Sequence, residues 1–487
     1  MLQVAVALQD QRKFPCAVEN MKSILIVAYY FPPVAASGAM RPLGFCRYLE
    51  QYGWRPWVLT TTPESVYPAH SVDQQLLARL PSTVKIESVP YTNPLHRMIA
   101  IRDRLRHALR SGIAVKSHNV VADDPISGSM KPQPPKARSS MKDLILDGSF
   151  SFPDPQCSWL GPAIRRFSDL KREELPQLVF ATGGPWTSLL VGKTLAERFG
   201  VPFIADYRDP WTSNPYDSYS SSFLTNKAKR LEQSVCSSAA RVITNTEELR
   251  LKLCDHYPQL RKTCITIPNG FDPESFIEED GMNPLMDRPL TPSVEAEGVE
   301  LCHFGTVYGK RSPLQLFQAV WELYDERRVT PDRIRMRFVG AWDVDDPRCE
   351  KLAQDLETHG FLRREAPVSH QVCLQQMARA KALLIIQPDS PLQIPGKIYE
   401  YIAVGRPLLL IGGEGATANL VERHQLGLSC PNDVSRIKPL LRQVASGDLA
   451  LNPPEKGCTD RFDYRTLAGE LAQLLDSVSA EHEAARF

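Results

Sequence analysis

Glycines accompany cationic side chains in three loops of this 487-residue chain, each just after an apolar segment. Glycine lets backbone N–H groups approach a ligand, arginine forks onto oxyanions, and lysine acts as a point charge. Such loops suit a phosphorylated ligand lying between two domains. The alternative is that each glycine serves a tight turn and each cation is solvated. The residues are Gly38 with Arg41, Gly305 with Lys310 and Arg311, and Gly396 with Lys397 and Glu400.

The first of these loops lies in a series of apolar runs, typical of strands, that alternate with segments of helical periodicity. Residues 23–31 are a continuous apolar run, typical of a strand buried on both faces of a parallel sheet, and Pro32 and Pro33 end it. The predicted elements that follow are helices at 41–52, 72–80 and 189–199 and strands at 57–60, 84–89, 178–181 and 203–205. This order predicts a parallel, doubly wound sheet.

A second alternating series follows residues 265–268. Its predicted strands are 301–304, 336–340, 382–386 and 407–411, and its helices are 313–324, 348–359, 372–380 and 397–404. The predicted fold class is therefore α/β, with two Rossmann-like doubly wound domains facing an interdomain cleft. We expect a disordered leader at 1–20, domains at 21–265 and 266–460, a mobile insertion near 117–140, and a closing helix within 461–487.

The composition argues against several classes of protein. With 57 Lys and Arg against 56 Asp and Glu, the chain has almost no net charge, which argues against a nucleic-acid partner. No apolar run approaches the roughly 20 residues of a membrane-spanning helix. The eleven cysteines are scattered and include no C-x-x-C pair, which indicates reduced thiols and a cytoplasmic location.

Four motifs in order resemble those of family-4-like (group 1) retaining glycosyltransferases of GT-B architecture. They are YYFPP at 29–33 followed by Gly38 and Arg41, DYRDPW at 206–211, IPNGFD at 267–272, and PGKIYEY at 395–401 followed by GRP at 405–407. The resemblance spans about residues 22–478. It implies transfer of a sugar from a nucleotide-sugar donor, held mainly by the C-terminal domain, to an acceptor placed mainly by the N-terminal domain.

The resemblance also assigns roles to individual residues. Glu400 would accept hydrogen bonds from ribose hydroxyls, Lys310 or Arg311 would contact the diphosphate, and Gly38 would admit the donor phosphates. The expected donor-binding set is Gly38, Arg41, Gly305, Asp389, Gly396, Lys397 and Glu400, and the expected catalytic set is Lys310, Arg311 and Asp209. No cofactor and no metal are expected, since the nucleotide-sugar is a substrate.

The chain departs from the common family pattern at one position. Many relatives have an earlier glutamate eight positions before the second, where this chain has Leu392. Asp389 is the nearest carboxylate, and it would replace the glutamate only if the loop at 390–395 shifts. A loop aspartate in an Asx-turn is an equally good interpretation.

The DYRDPW motif follows a predicted strand and so faces the ligand edge of the sheet. Asp206, Arg208 and Asp209 form either a self-satisfied salt-bridge cluster or an acceptor contact, with Asp209 the better candidate for the contact. Trp186 and Trp211 would stack on a sugar or lipid, although core packing is the commoner role. We expect His303 to be a packed residue, and His370 to lie in a loop or beside an N-cap.

The resemblance further implies front-face attack through an oxocarbenium-like state. Cations and helix-terminal N–H groups would stabilise the departing diphosphate, which would also take the acceptor proton. Asp343, Val344 and Asp345 form a D-x-D triplet, the metal-binding motif of a different glycosyltransferase architecture. Here the following Asp346 and Pro347 favour the acidic start of a helix instead.

Two rival functions share parts of this pattern. A dehydrogenase is disfavoured because Pro32 and Pro33 stand where a G-x-G-x-x-G turn would be. A non-catalytic nucleotide-sugar or glycan-binding protein is motivated by the missing first glutamate.

Residues 95–116 predict a basic amphipathic helix, with apolar residues on one face and several arginines elsewhere. Its arginines would rest on an anionic membrane surface, which would favour a lipid-linked or envelope glycan acceptor. The alternative is that its apolar face packs on the N-terminal domain.

Overall fold

The structure is a computed structural model that describes residues 21–66, 70–92, 151–214, 219–276, 298–454 and 457–486, with the side chain of Lys310 excepted. The predicted leader at 1–20, the basic helix at 95–116 and the insertion at 117–140 lie outside the described residues.

The first sheet has seven parallel strands. They are Lys22–Val27 (β1), Trp54–Thr60 (β2), Lys85–Ser88 (β3), Leu178–Gly183 (β4), Phe203–Tyr207 (β5), Arg241–Thr244 (β6) and Cys264–Thr266 (β7), in the order β3-β2-β1-β4-β5-β6-β7. Successive side chains of a strand point to opposite faces. Accordingly Leu25 and Val27 belong to one hydrophobic core, and Ile24 and Ile26 to another. The apolar run in the sequence reflects this double burial.

The second sheet repeats the same design with six parallel strands. They are Val299–Phe304 (β8), Ile334–Val339 (β10), Leu362–Glu365 (β12), Ala382–Gln387 (β13), Leu408–Gly412 (β14) and Gly427–Cys430 (β15), in the order β12-β10-β8-β13-β14-β15. Val307–Tyr308 (β9) and Trp342–Asp343 (β11) form a separate parallel pair. In both sheets the order reverses between the first and fourth main strands, β1 and β4 or β8 and β13. Ligands bind such sheets at this switch point, beyond the carboxyl ends of the strands.

Helices cover the faces of both sheets. Those of the first half are Ser37–Tyr48 (α1), Gln75–Ala78 (α2), Leu160–Arg166 (α3), Thr187–Phe199 (α4), Ser222–Ser238 (α5) and Glu247–His256 (α6). Those of the second half are Leu314–Asp325 (α7), Pro347–Thr358 (α8), His370–Arg379 (α9), Lys397–Val404 (α10), Ala416–Arg423 (α11) and Val434–Ser446 (α12). Side-chain oxygens cap several of their N-termini; Ser221, for example, accepts from the backbone N–H of Leu224.

The C-terminal helix, Tyr464–Ala484 (α13), packs on the first half. Leu467, Leu471 and Leu475 recur every four residues and are fully buried in the core that contains Ile24 and Ile26. The ring of Tyr464 lies against Gly44 of α1, so close that a Cβ on this glycine would be 2.4 Å from the ring. The chain therefore crosses to the second half and then returns, so that its last helix completes the core of the first half.

The fold class expected from the sequence is confirmed: both halves are parallel α/β sheets with helices on each face. The last strand of the first sheet, β7, extends one residue past the predicted domain boundary at 265. The predicted closing helix continues to Ala484. In the described part of the chain, no helix combines the length and the apolar character needed to cross a membrane.

Candidate functional site

The predicted ligand loops lie at the carboxyl ends of the strands that flank each switch point. Residues 28–36 lead from β1 to α1, while β4 ends at Gly183. In the second half, Gly305 follows β8, and residues 388–396 connect β13 to α10. The sequence therefore placed these loops on the edge of each sheet where a ligand is expected.

Glu400 lies in the first turn of α10 and is held by two side chains. Its Oε2 is 2.9 Å from Lys397 Nζ, and its Oε1 is 3.0 Å from His370 Nε2. Burial alone would raise the pKa of Glu400, but Lys397 and His370 outweigh it and lower the pKa to about 2. The site thus holds an ionised carboxylate whose side chain keeps 23% of its surface exposed. A ligand hydroxyl can donate to such a group.

His303 of β8 is held by the neighbouring strand β13. Its Nδ1 lies 3.0 Å from the carbonyl oxygen of Leu384, so the ring donates a hydrogen bond there. Burial, with the nearby cations Arg311 and Lys397, lowers the pKa of His303 to about 4. The imidazole is therefore neutral near pH 7, and it packs against Phe338 with 5.3 Å between ring centroids. As the sequence predicted, it is a packed residue.

Glycines shape two loops at the ligand edge of the second sheet. Gly305 has φ +136°, and its carbonyl oxygen lies 2.3 Å from where a Cβ of Gly340 would be, so the two loops are in close contact. A Cβ on Gly396 would meet no atom within 4 Å. The backbone that opens α10 is therefore accessible, as expected for a ligand-binding turn.

Arg41 corrects one expectation. We predicted that it binds the donor, but it is only 2% exposed, and all five of its N–H groups are engaged inside the protein. They donate to the carboxylate of Asp206, to the carbonyl oxygens of Ile267 and Pro268, and to Asn269 Oδ1. Arg41 thus fixes the 267–269 segment to the first sheet. Asp206, which also accepts from Thr182 Oγ1 at 2.7 Å, is its structural partner.

Arg208 occupies the place that we predicted for phosphates at Gly38. A Cβ on Gly38 would lie 2.4 Å from Arg208 Nη1 and 2.8 Å from its Cζ. Arg208 Nε donates to the carbonyl oxygen of Gly183 at 2.9 Å, and Nη2 donates to that of Gly184. The absent side chain of Gly38 therefore makes room for a guanidinium group.

Asp209 links the first half to the donor-side loop of the second. Gln393 Nε2 donates to Asp209 Oδ1 at 2.7 Å. Burial raises the pKa of Asp209, against the opposing effect of Arg208. Next to Gln393, the carbonyl oxygen of Leu392 accepts from Thr246 Oγ1 at 2.8 Å, and the Leu392 side chain packs against the first core. The position of the missing glutamate is thus an interdomain contact.

Four further predictions concern residues around these loops. Asp389 is exposed, and its role in donor binding stays a prediction. Trp186 and Trp211 are buried and stack on each other with 5.1 Å between their ring centroids, so packing is their role. Asp346 caps α8 by accepting from the backbone N–H of Arg348, as its acidic start predicted. Among the described residues, no group of three or more His, Cys, Asp or Glu side chains is arranged to hold a metal.

Sequence reasoning missed three participants. His370 was expected beside an N-cap, and it does follow the capping Ser369, but its contact with Glu400 comes from a separate helix. Arg208 was noted only as part of a cluster, and Gln393 was not singled out. The DYRDPW motif after β5 was a usable signal for Arg208. For His370 and Gln393 the partners lie 30 and 184 residues away, beyond any local pattern.

Comparison with known proteins agrees with this architecture. Residues 131–275 match the model of the family described as Glycosyltransferase Family 4. HepE from Anabaena, solved in complex with UDP and glucose, is 14% identical, with a TM-score of 0.53 over 94% of this chain and 100% of HepE. Sucrose-phosphate synthase from Thermosynechococcus elongatus is 13% identical, with a TM-score of 0.56 over 95% of this chain and 100% of that one.

A glycosyltransferase from Rickettsia africae is 11% identical, with a TM-score of 0.52 over 94% of this chain and 99% of that one. No curated protein matches the chain in sequence. The family match and these structures confirm the resemblance to family-4 glycosyltransferases and the GT-B fold.

Proposed function

We propose that this chain is a glycosyltransferase that moves a sugar, of hexosyl type, from a nucleotide-sugar donor to a glycan or lipid-linked acceptor. The observation that carries the proposal is the ionised Glu400, held by Lys397 and His370 at the start of the helix that opens beside the second switch point. The family match and the structures with GT-B fold support the same class of reaction.

The second half supplies the groups for the donor. Glu400 would accept from ribose hydroxyls, and the accessible backbone at Gly396 would face the diphosphate. Arg311, which lies near His303 as Lys397 does, would neutralise charge on the leaving group together with Lys310. HepE, whose structures contain UDP or UDP-glucose, suggests a uridine nucleotide as the first donor to test.

The proposed reaction retains configuration at the anomeric carbon. The bond from that carbon to the diphosphate oxygen breaks as the acceptor oxygen attacks from the same face, and the acceptor proton passes to the leaving phosphate. No protein nucleophile and no metal are required. The D-x-D triplet at 343–345 leads directly into the N-terminus of α8, where Asp346 caps the helix and pairs with Arg348.

The first experiment is a panel of nucleotide sugars in a thermal-shift assay, because a ligand that binds only the folded state raises the melting temperature. Donors that stabilise the protein are then incubated with a cell-envelope extract, and the nucleoside diphosphate released is measured. We expect release that persists in chelator and that is lost when Lys310 and Arg311 are both replaced by alanine. Turnover unchanged in this double variant would overturn the proposed role of the two cations.

The same assay separates the enzyme from a non-catalytic nucleotide-sugar or glycan-binding protein. The observation that favours the binding protein is Leu392, which stands at the position of the first family glutamate and contacts the other half. Stabilisation by a donor without release of nucleoside diphosphate would support that alternative. Release that depends on an acceptor would exclude it.

The proposed acceptor class predicts where the protein works. We propose a cytoplasmic protein that contacts the anionic membrane surface through the basic segment at 95–116, so that a lipid-linked acceptor can reach the first half. Flotation with anionic vesicles, compared with a variant that lacks three arginines of this segment, tests the contact.

A further inference from the structure

Two arginines of the first half lie near the same switch point, but only one of them forms an ion pair with a carboxylate. Arg41 is buried, and its charge is matched by Asp206 at 2.8 Å. Arg208 is half-buried, and two of its three nitrogens donate to the carbonyl oxygens of Gly183 and Gly184. Among the described residues, Arg208 Nη1 has no hydrogen-bond partner and the guanidinium forms no ion pair within 4.0 Å, although the charge of Asp209 acts on it from a longer distance. The guanidinium of Arg208 is therefore held by its Nε and Nη2 atoms, while its Nη1 atom can still donate to a ligand.

The backbone around Arg208 fixes the guanidinium in place. One face of the guanidinium lies against Gly38 at the start of α1, and Nε and Nη2 donate to two carbonyl groups at the end of β4. The backbone carbonyl oxygen of Arg208 also accepts from Asn245 Nδ2 at 2.6 Å. A guanidinium held at several points is positioned before a ligand arrives, so little side-chain entropy is lost on binding.

The neighbouring residue places Arg208 on the donor side of the site. Asp209 accepts from Gln393, which belongs to the loop that leads into Gly396, Lys397 and Glu400. In that loop region Lys397 is already paired with Glu400 at 2.9 Å, so its charge is largely compensated. A diphosphate that departs with growing negative charge is stabilised best by a cation that, like Arg208, is not directly paired with a carboxylate.

From this geometry we propose that Arg208 binds the diphosphate of the donor from the first half and stabilises it as it leaves. The inference rests on the proposed function and adds a catalytic residue to it. The sequence predicted that the donor phosphates approach the backbone at Gly38. In this proposal they approach the Arg208 guanidinium instead, for which Gly38 leaves room.

The test compares wild type with Arg208→Ala, Arg208→Lys and Gly38→Ala. The matched control is Arg198→Ala, because Arg198 also donates to a backbone carbonyl in the first half, that of Ser168, but on an exposed surface away from the site. Calorimetry measures binding of UDP and GDP and of the bare nucleosides uridine and guanosine. Turnover is measured with the donor that the thermal-shift panel identifies.

We expect Arg208→Ala to weaken binding of the nucleoside diphosphate about 10-fold or more and to lower kcat about 100-fold, with nucleoside binding unchanged. Arg208→Lys should recover part of kcat, since it keeps the charge but not the fork. Gly38→Ala should match Arg208→Ala, because its Cβ would lie 2.4 Å from Arg208 Nη1 and would displace the guanidinium. Arg198→Ala should behave as wild type.

Two results would overturn the inference but leave the proposed function intact. One is wild-type affinity and kcat in Arg208→Ala. The other is an equal loss of nucleoside and nucleoside diphosphate binding in that variant, which would indicate a structural role. Absence of nucleoside diphosphate binding by wild type would instead overturn the proposed function, and the inference with it.

Discussion

Gln393 donates a 2.7 Å hydrogen bond to Asp209 and so connects the donor-side loop of the second half to the ligand edge of the first sheet. Asp209 is the residue after Arg208 and is the residue that we expect to contact the acceptor. The two halves therefore meet at the residues that the proposed reaction needs, and the contact can be tested by itself.

Replacing Gln393 with leucine should lower the free energy of unfolding by about 2 kcal/mol, because it leaves a half-buried carboxylate without its donor. Chemical denaturation measures the change. Gln318→Leu is the control, since Gln318 also donates to a carboxylate, Glu322 at 3.0 Å, but within one helix. We expect the control to cost about 0.5 kcal/mol or less. Equal costs in the two variants would contradict a special role for the interdomain bond.

Replacing Glu400 with glutamine should raise the KM for the donor about 10-fold to 100-fold, with a smaller effect on kcat. Hydrogen bonds to a charged group are worth about 1.5–3 kcal/mol, and the amide keeps the shape but loses the charge. Steady-state kinetics with the identified donor is the measurement. Glu422→Gln, an exposed glutamate on α11, serves as the control. A fall in kcat without a change in KM would argue against ribose binding by Glu400.

The depressed pKa of Glu400 predicts a pH dependence of stability. Its pKa is about 2 in the folded protein against 4.5 for the free side chain, so the unfolded state binds more protons between these values. The stabilisation from Glu400 should be complete above about pH 4.5 and should be lost as the pH falls toward 2. Chemical denaturation across this range measures the free energy of unfolding, which should change less with pH in Glu400→Gln than in wild type. An equal dependence on pH in the two proteins would contradict the assigned pKa.

Replacing Arg41 with alanine should reduce the free energy of unfolding by about 3–5 kcal/mol, because Asp206 is left buried without its partner. The control is Arg348→Ala, which breaks the exposed pair with Asp346 and should leave the stability almost unchanged. Both are read from denaturant midpoints. If Arg41→Ala folds with wild-type stability but loses donor binding, the structural role assigned to Arg41 is wrong.

Replacing Gly44 with alanine should destabilise the protein by about 1–3 kcal/mol, since the new Cβ would lie 2.4 Å from the Tyr464 ring and push α13 away from α1. Thermal unfolding measures the loss. Gly309→Ala, where a Cβ meets no atom within 4 Å, is the matched control and should melt as wild type does. A stable Gly44→Ala variant would show that α13 contributes little to the first half.

Local sequence was sufficient for the elements that flank the site and for the edge of the sheet where the site lies. The predicted helix at 397–404 has the observed bounds, because Gly396 precedes it and Gly405 ends it with φ +68°. Strands such as β1 and β13 are buried on both faces, so their sequences are almost continuously apolar. Such a run can be recognised without knowing which strands lie beside it. Between residues 211 and 264 the apolar residues are fewer, and the helices α5 and α6 were not predicted.

Tertiary structure alone decided which charges are free. Arg41 and Arg208 both lie in motifs beside strand ends, and their residue types predict the same chemistry. Asp206, 165 residues from Arg41, matches the charge of the first, while Gly38 and two carbonyl groups position the second without neutralising it. The charge that a side chain offers to a ligand depends on the partners that the fold brings within a few ångströms, and sequence spacing does not carry that information.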